Sequence, residues 1–385
     1  MLEVESLRDF TVLEGNCLET LKNLPDNSIQ MCVTSPPYFN LRDYGTGHWE
    51  GGDPNCDHKG KLLGANHNFN YADGRGSNGE LRSNVCVKCG AIRVDDQIGL
   101  EETPEQFIQK LVEVFREVRR VLKPDGTLWV NMGDSYCNSN GYERSPEIWK
   151  RDGRSGAPAN DRDLSTLHSC GYKTKDLIGI PWMLAFALRA DEWYLRQDII
   201  FAKTNPMPES VEDRCTKSHE YIFLLSKSPN YYFDYKAIEE EAISETTSNP
   251  KFGGNKYGDS TDSHFNTYSG NEYHPNGRKR KRDVWNIAVS SYKEAHFATY
   301  PIKLVEPCIL AGSKPGDIVL DPFSGSGTTG IAALMNSRKY IGCELNPKYI
   351  ELSEKRYQEE IMHNVCYIDK ETGKAKVTLK TEVLW

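Results

Sequence analysis

The stretch DIVLDPFSGSGTTGIAALMN, residues 317–336, constrains the fold more than any other part of the chain. An apolar run ends in Asp321, a turn containing Gly325 and Gly327 follows, and small and apolar residues come next. The pattern reads as a buried strand, a glycine turn and a helix whose first amides face a ligand. A second apolar run, YIGCELN, ends near Glu344, 17 residues after Gly327. One helix and one strand span that distance, and in doubly wound folds an acid at the end of the second strand bonds a cofactor's ribose. No Gly-Lys-Ser/Thr is present, which excludes the phosphate-binding P-loop. Asp321 would repel phosphate and suits a cationic ligand.

Five earlier apolar runs, at 10–15, 31–35, 127–132, 195–203 and 220–226, read as further strands, giving seven in all. Between them, apolar residues from Phe107 to Leu122 recur on one helical face. Thr103-Pro104-Glu105-Gln106 supplies a capping box with proline at the first helical position, and Lys123-Pro124-Asp125-Gly126 is expected to end the helix. Further helices are expected after Gly327 and from Asn346-Pro347. Alternating strands and helices predict an α/β fold, a doubly wound and mostly parallel seven-stranded sheet covered on both faces. Residues 1–385 are read as a single catalytic domain with three polar insertions, at 51–97, 137–170 and 240–282.

Composition limits the class of protein. No apolar run reaches the ~18 residues of a membrane span, so no membrane partner is expected. The N-terminal MLEVESLRDF lacks the basic and apolar regions of an export signal. The eleven cysteines are therefore expected to be reduced thiols in the cytoplasm, unless they bind metal. The net charge of −8 argues only weakly against nucleic acid, because local charge decides that contact.

Residues 31–33 run straight into Thr34-Ser35-Pro36-Pro37-Tyr38. Two adjacent prolines donate no hydrogen bonds to a ladder, so the strand must stop there. The turn either closes off a strand or presents polar groups and a ring to a flat ligand.

Taken together, Asp321-Pro322-Phe323-Ser324-Gly325-Ser326-Gly327-Thr328-Thr329 and Ser35-Pro36-Pro37-Tyr38 resemble the motifs of the DNA amino-methyltransferases that use S-adenosylmethionine. The SPPY motif precedes the FxGxG motif, which resembles the beta class, whose sheet is circularly permuted in sequence. The likeness extends through LEGN, LKPDGTLWVNMGD, QDIIFAKTNPMPES, SHEYIFLLSKS and HFATYPIKLVEPCILAG. It implies a base flipped out of double-stranded DNA, with Tyr38 stacked on it and rigid Pro36 and Pro37 fixing the turn. The Ser35 side chain and the Pro36 carbonyl would accept from the target amine. Asp321, Gly325, Gly327 and Thr328 would hold the methionine part of the cofactor and Glu344 its ribose. Phe323, Asn16 (where the family usually has aspartate) and Phe297 would line its walls. Serine at the first SPPY position implies cytosine N4 as the target, with adenine N6 as the alternative. A cognate restriction endonuclease and a second copy of the chain are the further partners the resemblance allows. An enzyme acting on RNA or on protein amides usually carries its cofactor loop before the NPPY motif, and a non-catalytic DNA-binding module has no need of both motifs. Cys308, inside an apolar helical stretch, reads as a core residue.

Two features lie outside these motifs. Cys56-Asp57-His58 and Cys86-Val87-Lys88-Cys89-Gly90 supply four soft ligands, and the second has the form of a zinc knuckle. A structural zinc is expected to order the 51–97 insertion, and its loss is expected to leave cofactor binding largely intact. The run Arg278-Lys279-Arg280-Lys281-Arg282 lies in a segment, 236–285, whose position resembles the family's target-recognition region, where basic residues would neutralise phosphates.

Overall fold

The protein is described by a computed structural model over residues 8–39, 44–58, 85–86, 88–137, 165–241, 278–289 and 300–362. Its strands are β1 (Phe10–Glu14), β2 (Ile29–Thr34), β3 (His48–Glu50), β4 (Ile92–Val94), β5 (Leu122–Met132), β6 (Tyr194–Lys203), β7 (His219–Ser226), β8 (Glu240–Glu241), β9 (Arg278–Lys279), β10 (Val284–Ile287), β11 (Ile318–Asp321) and β12 (Lys339–Glu344). Its helices are α1 (Cys17–Lys22), α2 (Pro104–Val121), α3 (Ser165–Ser169), α4 (Ile180–Ala190), α5 (Ile302–Gly312), α6 (Thr328–Met335) and α7 (Pro347–Arg356).

Every residue of β2 is buried, as a strand covered on both faces requires. Cys32 turns towards α1, α2 and α4 on one face. Met31 and Val33 turn towards α5 and α6 on the other. The main sheet has the order β1-β12-β11-β2-β5-β7-β6-β10, and only β7 runs against the rest. The two C-terminal strands thus sit between β1 and β2, with Leu320 beside Cys32 and Leu13 beside Cys343. This is the expected permutation, since a sheet needs its strands adjacent in space and not in chain order.

Among the described residues the sheet has eight strands rather than seven. The additional one, β10, buries only Trp285, whose indole donates to the Arg282 carbonyl at 2.7 Å. Four residues with one inward side chain carry little periodic signal. They pair because β6 leaves an open edge.

Helix α2 begins as expected, with the Thr103 hydroxyl accepting from the Gln106 amide at 3.2 Å and the Gln106 side chain accepting from the Thr103 amide at 3.3 Å. Its end differs. Residues 123–126 belong to β5 and form an irregularity between the Ile29–Leu122 and Met31–Thr127 pairs. The helix passes into the strand without a separate turn. Helix α7 starts at the expected place, with the Asn346 side chain accepting from Lys348 N–H and Pro347 in its first turn.

Candidate active site

Thr34 ends β2 and Asp321 ends β11, and these strands are neighbours. The Thr34 hydroxyl donates to Asp321 Oδ1 at 2.5 Å, and the Phe323 amide donates to the same oxygen at 3.0 Å. Asp321 Oδ2 accepts from the hydroxyls of Thr329 at 2.5 Å and Tyr300 at 3.1 Å. Those two hydroxyls also lie against each other. Asp321 is buried, and burial pushes its carboxyl above the ordinary value while its donors partly offset the shift. It stands behind the cavity wall rather than in it. The expected cofactor ligand is therefore a bracket that fastens the SPPY turn to the glycine loop.

The loop itself divides its labour. Gly325 (φ +52°) donates its amide to Glu344 Oε2 at 2.8 Å, and the Asn346 amide donates to Oε1 at 2.8 Å. Burial raises the Glu344 carboxyl, and the two amides work against that shift. Gly327 (φ +77°) serves packing instead: a Cβ there would lie 2.8 Å from Ser353 Cβ on α7. Phe323, Gly325 and Thr328 line the cavity, but Gly327 does not. Behind the loop, buried Arg356 donates to the Ser326 carbonyl at 3.0 Å and to the Thr328 hydroxyl at 3.0 Å.

Ser35, Pro36, Pro37 and Tyr38 line the same cavity of about 260 Å³, across from Phe323–Ser326 and Glu344. The Tyr38 ring lies against the Gly133 backbone, where a Cβ would come within 2.6 Å of it. Its hydroxyl donates to Glu220 Oε2 at 2.7 Å. Lys203 holds the other Glu220 oxygen at 2.5 Å, and Asn131 donates to Oε2 at 3.2 Å. Burial, and then Glu220, push the Tyr38 phenol well above its usual range, so it is a neutral donor. Asn16 also lines the cavity, but its carboxamide oxygen caps α1 by accepting from Leu18 N–H at 2.9 Å. Phe297 lies outside the described residues. Cys308 is buried and its thiol is pushed up by desolvation, as a core residue's should be.

Sequence reasoning missed Glu220, Lys203, Asn131, Tyr300 and Arg356. A signal existed for the first two. Both are charged residues within apolar runs, and in the sheet both fall at the carboxyl end of the parallel strands, where such folds bind ligands.

The four soft ligands come together, with all their ligand atoms within 4.8 Å of one another. Cys56 and Cys86 sulfurs are 3.9 Å apart, and Cys89 Sγ is 3.5 Å from His58 Nδ1. Edges of a tetrahedral zinc site with ordinary bond lengths are about 3.8 Å for sulfur–sulfur and about 3.6 Å for sulfur–nitrogen. The knuckle's turn closes with Gly90 N–H on the Cys86 carbonyl at 2.8 Å, and Gly90 has φ +73°. The His58 ring stacks on Trp49 with centroids 4.9 Å apart.

The basic run is no free loop. Arg278 and Lys279 form β9, paired with β8. Lys281 bonds Glu240 at 3.1 Å, and the Arg280 guanidinium lies 4.8 Å from the centre of the Tyr235 ring. The run enters β10 at the end remote from Ile287, whose partner Lys203 lines the cavity. Arg280 and Arg282 remain exposed.

The profile of the N6_N4_Mtase family, described as DNA methylase, matches residues 29–355. The type II methyltransferase M.Cfr9I of Citrobacter freundii is 40% identical over 354 residues, covering 92% of this chain and 89% of its own. M.SmaI of Serratia marcescens, also a type II methyltransferase, is 38% identical over 351 residues, covering 91% of each. Among solved structures, the cytosine-N4-specific PvuII DNA methyltransferase shares the fold at a TM-score of 0.50 and 18% identity, covering 91% of this chain and 88% of its own.

Proposed function

The chain belongs to the N6/N4 family of DNA methylases, the S-adenosylmethionine-dependent DNA amino-methyltransferases, and we propose that it methylates the amine of a base flipped out of double-stranded DNA, cytosine N4 rather than adenine N6. One observation carries the reading. The Thr34–Asp321 bond joins the SPPY turn to the glycine loop, so both open on one cavity at the carboxyl ends of adjacent parallel strands.

The lining fits the cofactor. Among the described residues, the acidic Glu344, Glu220 and Asp96 line the cavity with one amine-bearing residue, Lys203, a balance that suits a sulfonium cation. When bound, S-adenosylmethionine supplies an electrophilic methyl group. Glu344 would hold the ribose and Phe323 would pack against the nucleoside, with the 322–326 backbone at the amino-acid part. On the base side, Tyr38 offers its ring for stacking. Ser35 Oγ and the Pro36 carbonyl accept from the exocyclic amine, which turns the nitrogen lone pair towards the methyl donor. The short, uncharged Ser35 supports cytosine over adenine.

A structural zinc on Cys56, His58, Cys86 and Cys89 belongs to the same reading, supported by the tetrahedral edges. All four positions are protein ligands, which leaves no open site for catalysis. A cognate restriction endonuclease is the expected partner. No helix among the described residues is long and apolar enough to cross a membrane.

The test is to digest DNA from cells expressing the protein to nucleosides and to resolve them by mass spectrometry. N4-methylcytosine is the expected product. N6-methyladenine alone would overturn the base assignment and leave the amino-methyltransferase standing, whereas neither product would overturn both.

A further inference from the structure

One part of the cavity lining is not built by the sheet. Two lengths of chain, 44–47 and 95–98, enter and leave the β3–β4 hairpin, and Tyr44, Thr46, Asp96, Gln97 and Ile98 line the cavity. These lengths are stitched together. The Tyr44 amide donates to Gln97 Oε1 at 2.7 Å, and the Thr46 hydroxyl donates to Asp95 Oδ1 at 2.8 Å. Arg93 pairs with Asp95 at 2.9 Å, and the Gln97 amide donates to Asp95 at 3.1 Å. Gln97 is buried despite its polarity, so its bonds matter to the fold of the stem.

The stem is also anchored at both sides of the cavity. On the Glu344 side, the Asn346 side chain donates to the Tyr44 carbonyl at 3.2 Å, and the Tyr44 ring meets Tyr349 edge-on at 6.3 Å. On the SPPY side, a Cβ at Gly99 would lie 3.2 Å from the Tyr38 carbonyl and 3.3 Å from Pro37. The hairpin's other end carries the Cys–His cluster. There, a Cβ at Gly52 would lie 2.8 Å from Cys89 Sγ, so cluster and hairpin are in direct contact.

We propose that the hairpin stem is part of the cofactor site: Asp96 and Gln97 form its outer wall beside the nucleoside, and the metal-binding tip clamps that wall in place. The clamp rests on the zinc reading; the wall does not. The exposed Asp96 carboxylate has a free acceptor for a hydroxyl or amine of the nucleoside, whereas Gln97 holds the two lengths of the stem in register. The inference departs from the expectation that the insertion leaves cofactor binding intact.

Calorimetric titration of the full chain with S-adenosylmethionine tests it, with zinc content measured by elemental analysis on the same samples. Asp96→Ala removes the acceptor from an exposed position and should fold normally. We expect Asp96→Ala and Gln97→Ala to keep zinc and to bind the cofactor about 3- to 10-fold more weakly, the scale of one hydrogen bond. Cys89→Ser should lose zinc and weaken binding at least as much. Wild-type affinity in both stem variants overturns the wall. Wild-type affinity in zinc-free Cys89→Ser overturns the clamp. A wild-type protein that binds no zinc overturns the clamp together with the metal reading, and the stem variants then decide the wall alone.

Discussion

Replacing Glu344 with alanine should weaken S-adenosylmethionine binding by ~1.5–3 kcal/mol, or about 10- to 150-fold in Kd. The figure follows from counting acceptor sites. A carboxylate offers about four, and the Gly325 and Asn346 amides occupy one on each oxygen. Two sites remain, matched to the two neighbouring hydroxyls of a ribose. Bonds to an ionised acceptor carry the upper range of hydrogen-bond energies, and water recovers part of the loss in the variant. The pH dependence adds a second check. Burial raises the Glu344 carboxyl above 4.5, so the folded chain holds this proton more tightly than the unfolded chain. Through the window above 4.5, rising pH ionises Glu344, which lowers its contribution to folding stability and raises cofactor affinity. Calorimetry for affinity and thermal melts for stability, both run from pH 4.5 to 7.5, should show these opposite slopes. Glu344→Ala should flatten both. Wild-type affinity in the variant would refute the ribose assignment.

Ser35→Ala should cut turnover ~10–1000-fold while cofactor affinity stays the same, measured by single-turnover methylation and calorimetry. Tyr38→Phe keeps the ring and loses the bond to Glu220, so it should retain more DNA-binding energy than Tyr38→Ala, which forfeits ~1–3 kcal/mol of stacking; equal losses in competitive DNA binding would mean that the hydroxyl, not the ring, does the work. Neutralising Arg280 and Arg282 together should flatten the salt dependence of DNA binding by about 0.9 log units per lost phosphate contact, and an unchanged slope would place the run outside the interface.

Much of this site was legible because its parts are local. The glycine loop, the acid of β12, the two prolines and the Cys-x-x-Cys knuckle each lie within a few residues, and residue type alone identifies their chemistry. What escaped was set by distant neighbours. Asp321 reads as a cofactor ligand until Thr34, Tyr300 and Thr329 converge on its oxygens. The basic run reads as five cations for DNA phosphates, and nothing local shows that Glu240, 41 residues away, will hold Lys281. The stem of the hairpin reads as polar linker, because nothing in its spacing says that Gln97 will accept from Tyr44. The missing strand, β10, is too short for its alternation to register.

The Thr34–Asp321 bond also sets a timetable. Its partners are separated by 287 residues, and β1 likewise waits for β12. A ribosome adding ~5–20 residues per second would deliver Asp321 roughly 15–60 s after Thr34. During that interval the SPPY turn has its prolines but not the strand beside it, and β1 has no ladder to join. A growing chain therefore carries half a pocket and no donor site.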